Sequence, residues 1–92
     1  MLATNNQLGY LVLLLDQLKN DYVWITELFN QTPKNNEKYP DERCDYQRQI
    51  LADRLSNMTT AQADYVLKAY NGEYGYHQLK ARNIIMGSLD KK

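Results

Sequence analysis

The sequence predicts an all-α fold, a small four-helix bundle-like domain with a long N-terminal helix. Three observations lead there. Thirteen Leu stand against four Ile and three Val, a bias toward good helix formers and away from the β-branched residues that strands prefer. Apolar residues recur at spacings of three and four through most of the chain. Capping residues, prolines and glycines fall between those periodic runs, where helices start and stop. A chain of 92 residues has room for one domain with one core.

The clearest run comes first. Leu8, Leu11, Leu15, Leu18, Tyr22, Ile25 and Phe29 form a heptad stripe. Asn20 and Asp21 fall on the outer face in this phase, so the stripe predicts one helix over about residues 5–31, capped by Thr4 or Asn5. Val12, Leu14, Val23, Trp24 and Leu28 widen the apolar surface beyond a strict two-stranded seam. Such a surface is covered by the later helices or shared with a second copy. For a homodimer, the interface would be Leu11, Leu15, Leu18, Tyr22 and Trp24.

The stretch from Thr32 to Pro40 is polar, bracketed by two prolines, and reads as a loop. Pro40 suits the first turn of a second helix, about 41–55, where Asp41, Glu42 and Asp45 complement the helix dipole. Its buried residues are Tyr46, Ile50, Leu51 and Leu55. Thr59 and Gln62 form a capping box for a third helix over 60–70, with Ala63, Val66, Leu67 and Tyr70 inward and Asn71-Gly72 as the stop. A fourth helix, about 76–88, carries Leu79, Ala81, Ile84, Ile85 and Met86, with His77, Lys80 and Arg82 among them.

Charge and cysteine content narrow the function. Eleven basic and eleven acidic side chains cancel, which removes the broad positive field of a general nucleic-acid or anionic-membrane binder. The apolar run Leu8 to Leu15 has no preceding Lys or Arg, closes at Asp16 and is too short to span a bilayer. One cysteine, Cys44, allows no internal disulfide and suits a reducing cytoplasm.

Candidate chemistry is sparse. One His and one Cys, in different helices, provide no zinc set, and the acids at Asp41, Glu42 and Asp45 lack the glycine-turned loop of a calcium site. Cys44 and His77 could pair as nucleophile and base only through the fold, and no phosphate-cradling glycine pattern is present. The sequence therefore predicts no catalytic residues, no metal and no cofactor.

Two binding readings compete. The run Ile50 to Leu55, a short turn and Thr59 to Tyr70 resemble a helix-turn-helix in rhythm but present one outward cation against one anion. A version shifted to the third and fourth helices makes His77, Gln78, Lys80, Arg82 and Asn83 available to DNA, though the turn from Asn71 to Gly75 is long and net charge is zero. Against that stands a tyrosine excess of eight. Tyr65, Tyr70, Tyr74 and Tyr76 crowd together, and tyrosine favours protein interfaces because it joins a rigid apolar ring to a polar tip. Tyr70, Tyr74, Tyr76, His77, Lys80 and Arg82 thus form the predicted partner-binding surface. The expectation is a non-enzymatic regulator or inhibitor that binds a protein partner, of the kind phages and plasmids carry as accessory factors. A DNA-binding regulator is the alternative.

Overall fold

The computed structural model describes residues 1–32, 45–71 and 77–89, and these form five helices with no strand among them. They are α1 (Asn5–Leu18), α2 (Val23–Asn30), α3 (Asp45–Arg54), α4 (Thr60–Tyr70) and α5 (Gln78–Ser88). The chain is all-α, as its periodicity requires. The predicted loop beyond Thr32, as far as Pro40, the acids Asp41 and Glu42, and Cys44 lie outside the described residues.

Helix α1 starts where the sequence caps it. The Thr4 hydroxyl accepts from the Gln7 amide at 3.1 Å, and the Gln7 side chain accepts from the Thr4 amide at 2.9 Å. The same reciprocal pair recurs at α4, between Thr59 and Gln62 at 3.1 and 2.9 Å. Each box satisfies donors that the first helical turn leaves without an internal acceptor. The two boxes are held side by side by a short antiparallel bridge of Leu2 with Thr59. Ala3 N–H donates to Met58 O at 2.9 Å and Thr60 N–H to Met1 O at 3.0 Å.

The single helix expected over 5–31 is in fact two. Helix α1 ends at Leu18, and α2 begins after Tyr22, whose backbone is extended with φ −131° and ψ 114°. Asn20 and Asp21 have weak helix propensity because their side chains compete for the backbone. The Thr26 hydroxyl donates to the Lys19 carbonyl, one of the acceptors that the end of α1 exposes. A straight helix carrying the whole stripe would be roughly 30 Å long, more apolar length than one small core can cover. The break folds Ile25, Leu28 and Phe29 back onto it.

One face of α1 is the floor of the core. Leu8, Leu11, Val12 and Leu15 are buried against residues of α2, α3, α4 and the α3–α4 connection, including Ile25, Leu28, Phe29, Leu51, Val66 and, from the connection, Leu55 and Met58. Each such side chain contributes about 1.5–3 kcal/mol on leaving water. Helix α5 packs on α4 through Ala81, Ile85 and Ser88. The radius of gyration, 12.8 Å, is close to the ~12 Å expected of a globule this long.

Two polar ties lock α3 in place. The buried Gln47 amide donates to the Phe29 and Thr32 carbonyls at 2.7 and 3.1 Å, closing the C-terminal end of α2. Arg48 reaches Asp16 of α1 at 2.8 Å, and Lys19 reaches the same carboxylate at 2.9 Å. Burial alone would raise the Asp16 carboxyl, but the hydrogen bonds and charges of Lys19 and Arg48 outweigh it and hold it below its ordinary value.

Gly9 sits in the middle of α1, and a Cβ built on it meets no atom within 4 Å. Glycine inside a helix sacrifices backbone entropy. Gly9→Ala is therefore expected to stabilise the fold by about 0.5–1 kcal/mol, read as a higher urea midpoint at unchanged slope.

Candidate interaction surface

Aromatic residues flank the start of α5 as a belt of two separate groups, Tyr22, Trp24 and Tyr70 in one and Tyr65 with His77 in the other. The Tyr22 and Tyr70 rings lie edge to face at 5.7 Å, and Trp24 packs on Tyr70 at 6.4 Å. Tyr65 meets His77 edge to face at 5.7 Å. These geometries suit the ring quadrupoles. Gln78 joins the belt to α5, its side-chain oxygen accepting from the Tyr22 hydroxyl at 3.0 Å and its carbonyl from the Tyr70 hydroxyl at 3.1 Å.

Two cations lie over this belt. The Lys80 ammonium is 5.4 Å from the Tyr65 ring centre, and the Arg82 guanidinium carbon is 5.6 Å from that of Trp24. Both side chains are exposed, so each is held on an aromatic face while its polar end stays in water.

Of the six residues predicted for partner contact, the fold separates three kinds. Tyr70 is a core residue, with its hydroxyl used inside the chain. His77 is half-buried against Tyr65, whereas Lys80 and Arg82 face solvent. Tyr74 and Tyr76 lie outside the described residues.

The surface also holds residues that the prediction passed over. Leu79 is 68% exposed and Met86 48%. At 100° per residue they share one face of α5 with Arg82 and Asn83, an arc of about 100°. It is opposite the buried Ala81, Ile85 and Ser88. Phasing the fourth helix on those three buried positions would have placed Leu79 and Met86 outside.

The predicted dimer stripe turns inward. Leu11 and Leu15 are fully enclosed by the chain's own helices, and Leu18, Tyr22 and Trp24 are half-buried against the core. The break after α1 and the packing of α3 and α4 leave Leu11 and Leu15 no surface to share. What α1 shows to solvent instead is Tyr10, 58% exposed, and Leu13, 49% exposed. Beside them an open groove of about 500 Å³ runs between α1 and α3, lined by Leu8, Gly9, Val12, Leu13, Ala52 and Asp53 among others.

Among the described residues, no group of three His, Cys, Asp or Glu side chains is placed to hold a metal ion, and no helix is long and apolar enough to cross a membrane. Comparisons with protein families, curated proteins and solved structures gave no match.

The belt has a measurable signature. Burial, followed by the neighbouring Tyr22, pushes the Tyr70 hydroxyl up from 10.0 to about 12, against a smaller opposing effect of Arg82. A phenol whose folded value exceeds its unfolded value gives stability that is complete below about pH 10 and lost as pH rises through about 12. Ultraviolet titration at alkaline pH should resolve a component near that upper value, and Tyr70→Phe should remove it.

Proposed function

We propose that this protein is a non-enzymatic binding module that engages a protein partner through the outer face of α5, acting as a regulator or inhibitor by occupying its partner's surface. The observation that carries this reading is the pairing of exposed Leu79 and Met86 with Arg82 on one face, bordered on its other side by Lys80, on a helix with no acidic residue from Gln78 to Ser88. Apolar anchors one heptad apart are the spacing with which a helix fills a groove. The flanking cations suit a groove rimmed by carboxylates.

The aromatic belt supports the same reading. Lys80 and Arg82 rest on Tyr65 and Trp24, so they lose less freedom on binding than unsupported side chains would. A reducing cytoplasm fits a chain with a single cysteine.

The DNA-binding alternative draws on the exposed Lys80, Arg82 and Asn83. It asks the start of α5 to read bases, yet His77 and Gln78 are engaged with Tyr65, Tyr22 and Tyr70. The stretch between Tyr70 and Gln78 also exceeds the three or four residues usual in that motif.

Immobilised protein exposed to extract from the source cell separates these readings. Leu79→Ser with Met86→Ser is expected to weaken capture of the partner by at least about tenfold, with circular dichroism unchanged because both side chains are exposed. Capture that survives this change but collapses with salt and with Lys80→Ala plus Arg82→Ala, alongside binding to duplex DNA, would replace the protein-partner reading with the DNA one.

A further inference from the structure

The exposed side of α1 differs in kind from that of α5. Asn6, Gly9, Tyr10, Leu13 and Gln17 are all exposed and share an arc of about 100°. None is charged. The one charged residue of α1, Asp16, is taken up by Lys19 and Arg48 at 2.9 and 2.8 Å. A solvated helix face ordinarily carries charge, and here two large apolar residues are flanked by amides instead.

Apart from Gly9, the order of these residues is a palindrome in chemistry. Reading from either end gives amide, apolar, apolar, amide: Asn6, Tyr10, Leu13, Gln17. We propose that α1 pairs with α1 of a second copy, antiparallel, about a two-fold axis passing between Tyr10 and Leu13. The two-fold sets Tyr10 against Leu13 of the second copy, and Leu13 against its Tyr10. Asn6 faces Gln17 of the second copy, and Gln17 its Asn6. An amide both donates and accepts, so these outer pairs are self-complementary, as a two-fold interface demands. A cationic face such as that of α5 would repel its own copy, whereas this neutral one does not.

Gly9 fits the same arrangement. Its missing side chain opens the edge of the groove between α1 and α3, where a Cβ would meet nothing in the chain itself. That space lies beside Leu13, on the side where Leu13 of the second copy arrives. A helix of 14 residues is about 21 Å long, so the helix faces alone bury roughly 400 Å² per copy. This is about half of what a stable complex uses. The pairing is therefore weaker than that of a standard-size interface.

Sedimentation equilibrium from about 10 μM to about 1 mM, the range of weak association, tests this. The wild-type chain is expected to pass from monomer to dimer across it, and Leu13→Glu and Tyr10→Lys are each expected to weaken dimerisation by tenfold or more. Both positions are exposed, so neither change disturbs the fold. An equimolar mixture of the two variants is expected to recover a dimer. In the antiparallel register the carboxylate introduced by L13E in one chain faces the ammonium introduced by Y10K in the other, and the second contact remains the native Tyr10 against Leu13. Three results overturn the proposal: a wild-type chain monomeric at the top of the range, a dimer indifferent to Leu13→Glu, or a mixture that stays monomeric. Leu79→Ser with Met86→Ser is expected to leave the dimer unchanged, which keeps this outcome separate from that of α5.

Discussion

Burial of one face of α1 is the constraint from which the rest of the structure follows. Leu8, Leu11, Val12 and Leu15 leave water together, and α2, α3 and α4 each contribute side chains to cover them. The cover is assembled from chain segments far apart in sequence, so the helix acts as a template. Specific polar contacts then fix the pieces. Gln47 closes the end of α2, Arg48 ties α3 to Asp16, and the bridge of Leu2 with Thr59 sets the starts of α1 and α4 side by side.

That arrangement also determines what is left outside. With its inner face saturated, α1 offers only the neutral side around Tyr10 and Leu13, and α5, packed chiefly on α4, offers a side of mixed apolar and cationic character. The two surfaces differ in chemistry. The neutral one is compatible with itself, and the cationic one favours an acidic neighbour. The aromatic belt sits beneath the second and gives its cations a rigid bed.

Much of the fold was legible because its signals are local. The helical class, the core positions Leu51, Leu55, Ala63 and Val66, and the capping box of Thr59 with Gln62 all follow from spacing within one or two turns. The break after Leu18 was not legible from periodicity, because the heptad phase continues across it. What ends the helix is the weak propensity of Asn20 and Asp21 together with the contact of Thr26 on Lys19. Gln47 was hidden for another reason: its carbonyl partners, Phe29 and Thr32, lie 18 and 15 residues away. The same holds for the surface. Lys80 and Arg82 were readable as exposed cations, but their seating on Tyr65 and Trp24 is tertiary. Leu79 and Met86 look like core residues until the helix is phased on Ala81 and Ile85.

If α1 is the template, its inner amides should be the last to open. Hydrogen exchange in the native state measures this residue by residue. The amides of Leu11, Val12 and Leu15 should exchange only through global unfolding, with protection equal to the free energy from denaturant titration, while those of α5 open at lower cost. Exchange of these α1 amides at a lower free energy than those of α4 and α5 would contradict the account, because the core would then be organised around a different helix pair.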